Sequence, residues 1–234
     1  EHTLQHLKSD LLDFDGVQQE VDSIKPDIIV HLAARTEVEN SFYEQITFSQ
    51  INYVGTVNLI EAASKVKNLK NFVFASTMEV YGWQPISDEV RDNIVPKRFI
   101  AFDENTQPNP NAPYAVAKYG CEKYLEYAHR SLGLPFTAIR QTNSYGRKDN
   151  DFFVTEQIIT QMLSNPERIS LGYGEPYRNF IFIDDLLDAW CSVINSPAKV
   201  NNGYIFTIGP DDPIKIKDYV SMIANKISWQ GEVL

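Results

Sequence analysis

The chain has 234 residues, 43% of them apolar, enough to bury a large core in one domain or in a body with a small lobe. Its net charge of −10, from 31 acidic against 21 basic residues, argues against a nucleic-acid-binding surface, though a few local cations and backbone amides could still hold an anionic nucleotide. No apolar run approaches the ~18 residues that span a bilayer, and Cys121 and Cys191 are too few for a disulfide framework and fit a reducing cytoplasm.

In chain order, Asp13 to Ile24 reads as a helix with Pro26 just past its end. Asp27 to Ala34 reads as a strand buried on both faces, Phe48 to Val66 as a long helix, and Asn71 to Ser76 as a second strand. Trp83 to Pro113, rich in proline and polar residues, reads as a long loop over a site. Tyr114 to Leu132 is a helix that Pro113 opens and Gly133 ends, followed by a strand from Phe136 to Gln141. A helix from Phe153 to Leu163 stops at Asn165-Pro166. Phe180 to Ile183 is a short strand leading into a helix from Asp185 to Ile194. Tyr204 to Ile208 and Ile216 to Ile227 give the last strand and the last helix. Strands alternating with helices predict an α/β fold with a doubly wound parallel sheet.

Tyr114 and Lys118 stand four residues apart, on one helix face. A free tyrosine titrates near pH ~10, and bringing it down by about three units takes roughly 4 kcal/mol of preference for the phenolate. A neighbouring ammonium can supply much of that, so the spacing predicts a phenol held ionised by the lysine one turn away. Two apolar runs end in polar groups: Asn71 to Ser76 leads to Thr77 and Glu79, and Pro135 to Ile139 leads to Asn143. Ligands of parallel sheets bind beyond the carboxyl ends of the strands, so these two segments and the Tyr114 helix make three that deliver polar groups to one sheet edge.

These motifs resemble the extended short-chain dehydrogenase/reductase family, specifically its nucleotide-sugar epimerases and dehydratases. Ser9-Asp10-Leu11, His31-Leu-Ala-Ala34, Asn52-Tyr-Val-Gly55-Thr-Val-Asn58, Thr77-Met-Glu79-Val-Tyr-Gly82, the Tyr114/Lys118 pair, Asn143-Ser-Tyr-Gly146 and Arg178-Asn-Phe-Ile-Phe-Ile-Asp184-Asp185 occur in the family's order. The resemblance implies a Rossmann-like NAD-binding part over residues 1–145. It implies a mainly substrate-binding lobe over 146–234, with 180–200 returning to the first part. One departure matters: no G-x-G-x-x-G spacing occurs and the first glycine is Gly16, so the chain reads as beginning at the family's third strand, roughly fifty residues late.

By the same resemblance, Tyr114 removes a proton from a sugar hydroxyl, Lys118 binds the nicotinamide ribose and Thr77 bonds the reacting oxygen. Asp10 and Leu11 flank adenine, and Leu32, Ala33 and Ala34 lie against the cofactor, NAD. Asn143 holds the diphosphate of a nucleotide-sugar substrate and Arg178 reaches its phosphate or the nucleoside; Arg178 could instead pair with Asp184 or Glu175. Arg35 and Glu37 could touch the sugar. His31 reads as a packed, hydrogen-bonded strand histidine, and Asn52 either faces substrate or bonds neighbouring backbone. No metal site, nucleic-acid partner or membrane partner is implied. The helices Phe48 to Val66 and Tyr114 to Leu132 match those through which the family forms homodimers.

Glu79 separates the reactions. The family's 4,6-dehydratases place an acid between the threonine and this glutamate; here Met78 stands there, and methionine transfers no proton. UDP-glucuronate decarboxylases carry a stretch that differs from Ala75 to Gly82 only at Met78. An epimerase or dehydratase oxidising at sugar C4, a decarboxylase with the same first step, and a non-catalytic Rossmann-like binding module all remain open.

Overall fold

The computed structural model describes residues 6–84, 101–146, 152–196 and 202–234. Its contacts form two compact units: Glu1–Val90 with Phe102–Arg140 and Ser192–Thr207, and Arg91–Ala101 with Gln141–Cys191 and Ile208–Leu234.

The first unit opens with α1 (Phe14–Ile24), capped by the Asp13 carboxylate, which accepts from the Gly16 amide at 3.1 Å. Val17 and Val21 of α1 pack against Ala62. Strand β1 (Ile28–His31) pairs in parallel with β2 (Asn71–Thr77), and the sheet continues through β3 (Phe136–Gln141) to β8 (Tyr204–Ile208). All seven residues of β2 are buried, as a central strand covered on both faces requires. β1 corrects the expectation of a strand buried on both sides. It stops at His31 and lies at the sheet edge, with Ile29 and His31 turned to the core while Val30 is 40% exposed on the other face.

The expected single helix from Phe48 to Val66 begins earlier and is interrupted. After α2 (Gln45–Phe48) the backbone widens into a π-helical stretch, Ser49–Val54, and returns to α geometry in α3 (Gly55–Ala63). Three local features account for it. The Thr56 hydroxyl donates back to the Asn52 carbonyl at 2.6 Å. The Asn52 side chain is bound to backbone outside the helix. Gly55 packs so closely on Leu11 that a Cβ there would lie 2.9 Å from the leucine's Cβ.

Helix α4 (Pro113–Leu132) starts on proline at its first position and ends at Gly133, whose φ of 74° suits the left-handed cap. One core joins Ile60 and Ala63 of α3, Phe72 and Phe74 of β2, Cys121, Leu125 and Ala128 of α4, and Phe136 and Ala138 of β3. Past β2, a 3₁₀ turn over Met78–Tyr81 leads to Gly82, where φ is 52° and a Cβ would lie 2.0 Å from the Asn109 carbonyl oxygen. Only glycine lets the chain turn under Asn109, whose amide bonds the Val80 carbonyl at 3.0 Å. Residues 85–100 of the expected Trp83 to Pro113 loop lie outside the described residues.

In the second unit, β4 (Asn143–Tyr145) runs parallel to β7 (Phe180–Phe182) and places Asn143 beside Phe180. β6 (Tyr177–Arg178) pairs antiparallel with β9 (Ile214–Lys215), and β5 (Arg168–Ile169) pairs in parallel with β10 (Glu232–Val233). α5 (Val154–Ser164) and α7 (Ile216–Lys226) enclose a small core of Ile158, Met162, Ile169, Tyr219, Val220 and Ile223. α6 (Ile183–Asn195) follows β7 directly, so the expected strand ending at Ile183 gives way to helix there. Apart from β7, these two- and three-residue strands were not anticipated, being too short to show a period of two.

Candidate active site

Thr77, Glu79, Tyr114 and Lys118 all belong to the first unit, and three of the four are buried, Glu79 being half-buried. Thr77 ends β2 and its oxygen accepts from the Glu79 amide at 3.2 Å, which fixes the start of the 3₁₀ turn. Its side chain also hydrogen-bonds Tyr114. The sheet end and the first turn of α4 therefore bring the Thr77 hydroxyl to the Tyr114 phenol, with the Glu79 carboxylate near enough to act on it by its charge.

The electrostatics overturn the sequence expectation for Tyr114. Burial drives its phenol well above the usual tyrosine range; the Thr77 hydrogen bond opposes this, while the Glu79 charge adds to it. The Lys118 ammonium donates to the Ala75 carbonyl at 2.8 Å and lies 4.8 Å over the Phe74 ring. Spacing along the helix put both side chains on the buried face, and the lysine there binds the backbone of β2. Desolvation lowers the ammonium to about 8, so it stays mostly charged at neutral pH.

Behind Lys118 lies a second buried network. The Thr56 hydroxyl gives its one proton to the Asn52 carbonyl, so its oxygen accepts from His31 Nε2–H at 2.8 Å. The His31 ring stacks on Phe74 with centroids 5.8 Å apart. The Asn52 amide mimics a strand: its Oδ1 accepts from the Arg35 amide and its Nδ2 donates to the Arg35 carbonyl, both at 2.8 Å. Asn52 is thus committed to backbone.

Burial, and secondarily the Lys118 charge, push the His31 imidazole down to about 3. The unfolded chain takes up a proton below pH ~6.5 that the folded one refuses. The associated stability is complete above pH ~6.5 and is lost as pH falls toward 3, up to roughly 5 kcal/mol. Replacing His31 by glutamine is expected to flatten the fall of the thermal midpoint between pH 6.5 and 4. An acid slope identical to wild type would reject this source.

The remaining predicted positions fall in two places. Asp10 is exposed, with its Oδ1 accepting from the Leu12 amide at 2.9 Å, and the Leu11 carbonyl accepts from the Asn58 side chain at 2.8 Å. Beyond β1, Leu32 and Ala33 are exposed and Ala34 is half-buried. Arg35 spends its guanidinium on Glu44, with Glu37 at 3.8 Å, leaving the sugar contact expected of Arg35 without support here. In the second unit Asn143 is half-buried on β4. Arg178 is exposed and donates to the Tyr177 carbonyl at 2.9 Å. Its considered partner Glu175 instead takes Lys215 and Lys217, each at 2.6 Å.

Two features of the first unit suit a dinucleotide. The ledge Leu32-Ala33-Ala34 carries small side chains in the open just past a strand end, where a flat ligand can approach the backbone. Lys118 uses one of its three N–H donors on Ala75, and among the described residues no other protein acceptor meets it. The described residues contain no group of three or more His, Cys, Asp or Glu side chains that could hold a metal.

Sequence reasoning missed one group. Glu122, wholly buried on α4, holds Arg140 of β3 through bonds of 2.9 and 2.7 Å and accepts from the Ser76 hydroxyl. Glu122 continues the four-residue spacing of Tyr114 and Lys118, so its place on the buried face was legible; its partner was not.

The profile of the NAD dependent epimerase/dehydratase family matches residues 1–209. The chain belongs to this family. Among its relatives is the dTDP-D-glucose 4,6-dehydratase of Dictyostelium discoideum, 33% identical over 93% of this chain and 49% of that protein. A putative UDP-glucose 4-epimerase of Methanocaldococcus jannaschii is 26% identical over 97% and 70%. The solved UDP-glucose 4-epimerase of Thermotoga maritima superposes with a TM-score of 0.85 at 23% identity, covering 97% of this chain and 70% of that one, and shows the shared Rossmann-like fold. The chain spans about half the length of the curated 4,6-dehydratases it matches. Among the described residues no helix is long and apolar enough to cross a membrane.

Proposed function

We propose that this chain carries the catalytic centre of an NAD-dependent nucleotide-sugar epimerase or 4,6-dehydratase whose first step oxidises sugar C4. The observation that supports it is the meeting of Thr77, Glu79 and Tyr114 at the end of β2, with the Lys118 ammonium buried one turn along α4. Tyr114 takes the proton of the C4 hydroxyl, and Thr77 hydrogen-bonds the same oxygen. Lys118 offers its remaining N–H donors to the nicotinamide ribose, while Leu32, Ala33 and Ala34 form the ledge and Asp10 and Leu11 flank adenine. Bound NAD would supply the hydride acceptor, and its oxidised ring would add positive charge that favours the Tyr114 phenolate. Asn143 and Arg178 hold the substrate's diphosphate; the planar guanidinium gives two parallel bonds to an oxyanion.

Glu79 and Met78 divide the later steps. Glu79 can take a proton from C5, but half-buried Met78 cannot protonate a departing C6 hydroxyl. That observation favours a second reading alongside epimerisation: decarboxylation of a nucleotide-linked uronic acid, which has the same first oxidation and needs no such acid. In the full-length protein, Glu79→Gln is expected to retain transient nicotinamide reduction while losing at least ~10²-fold in any step that needs C5 deprotonation. Product analysis on a panel of nucleotide-sugars reads it: a 4-keto-6-deoxy sugar, carbon dioxide or an inverted hydroxyl separates the reactions. A panel that never reduces the nicotinamide would sink the assignment.

The working assembly is proposed as a cytoplasmic homodimer through the π-interrupted helix and α4, where Val54, Val116 and Tyr127 are exposed. Light scattering on the full-length protein is expected to give twice the monomer mass, and a monomeric mass removes this part of the proposal.

A further inference from the structure

The segment Ser76–Tyr81 carries Thr77 and Glu79, and the same buried ion pair ties it down at both ends. At its start, the Ser76 hydroxyl donates to Glu122 Oε1, which also accepts from Arg140 Nε at 2.9 Å. Arg140 Nη2 donates to Glu122 Oε2 at 2.7 Å, completing a two-pronged contact. At the segment's far end, Arg140 Nη1 donates to the Tyr81 hydroxyl at 3.2 Å, and the guanidinium lies 5.0 Å from the Tyr81 ring centre. Tyr81 is held further by Thr207 of β8, oxygen to oxygen at 2.6 Å. Glu122 rides on α4 two turns past Tyr114. The pair therefore links the helix bearing the phenol to the loop bearing the threonine and the glutamate.

A buried ion pair is a poor device for stability, because desolvating both charges offsets most of their attraction. Two apolar side chains would fill the same space at least as well. Geometry is what they could not supply: apolar replacements leave the Ser76 and Tyr81 hydroxyls with nothing on α4 or β3 to bind.

We propose that Glu122 and Arg140 are positioning residues, which hold the Thr77–Tyr81 segment in register with Tyr114 and act on turnover only through it. The inference rests on the catalytic reading above, and its test separates the two. In the full-length protein, the double variant Glu122→Leu/Arg140→Met removes both charges together and leaves neither unpaired. It is expected to lower kcat by about ten- to a hundredfold, as small misplacements of reacting groups do, with KM for the nucleotide-sugar within about twofold of wild type. Amide hydrogen exchange at Met78 to Tyr81 is expected to quicken, a readout that needs no turnover. Wild-type kcat in the folded double variant, or unchanged exchange across that segment, overturns the proposal. Should the double variant fail to fold, Ser76→Ala/Tyr81→Phe cuts the same two tethers and leaves the ion pair in place, with Thr207→Val measured beside it because Tyr81→Phe also removes the Thr207 contact; the expected results beyond those of Thr207→Val are the same two, and so are the two that overturn it. A wild-type protein with no turnover on any nucleotide-sugar condemns the catalytic reading, and the exchange result alone then decides the positioning role.

Discussion

Tyr114→Phe is expected to cost the full-length protein at least ~10²-fold in kcat with little change in KM, the usual size of a general-base contribution. The substitution removes one oxygen from a buried ring and leaves the packing of α4 intact, so lost activity is not lost structure. Burial and the Glu79 charge raise the phenol in this environment, and the Thr77 hydrogen bond opposes them. Its proposed use as a base calls for a group that lowers it, and the positive charge of an oxidised nicotinamide would do so. The activity of wild type is expected to rise with pH through a group that titrates lower when NAD is bound, and this limb is expected to disappear in the phenylalanine variant. Turnover equal to wild type in Tyr114→Phe would refute the site.

The largest loss of stability is expected from Arg140→Met. The Glu122 carboxylate is fully buried, and the arginine fork is the only cation that it meets among the described residues. Removing one partner of a buried pair strands the other, which costs about 3–5 kcal/mol. For a domain of this size that is a fall of roughly 6–20 °C in the thermal midpoint. Adding Glu122→Leu is expected to return most of it, since no unpaired charge is then left in the core. A single variant as stable as wild type, measured by thermal or chemical unfolding, would show that the pair is not desolvated as its geometry indicates. Stability and turnover should separate here: the double variant recovers its melting temperature and not its kcat.

Much of the fold was legible because its signals are local. Pro26 past Ile24, Pro113 before Tyr114 and Gly133 after Leu132 announce helix ends through backbone chemistry that needs no distant partner. Apolar runs gave β2, β3 and β8 to within a residue. The π-helical stretch was not legible, because it depends on Asn52 finding the Arg35 backbone and on Gly55 meeting Leu11, contacts between segments far apart in sequence. β1 was over-read for a similar reason: an apolar run shows that a strand can be buried, while its place in the sheet order decides which face is.

The candidate site divides along the same line. Sequence alone determined which residues share a face and which sit at strand ends, since a helix repeats every 3.6 residues wherever it lies. Thr77, Glu79, Tyr114 and Lys118 follow from that periodicity and from the ends of apolar runs. Only the tertiary structure decided what each charge meets: that Lys118 reaches the Ala75 carbonyl, that His31 sheds its proton, that Tyr114 holds its own, and that Arg140 closes on Glu122. Desolvation and hydrogen bonding set these outcomes, and both depend on the neighbours that folding brings in from other segments, which spacing along one segment does not encode.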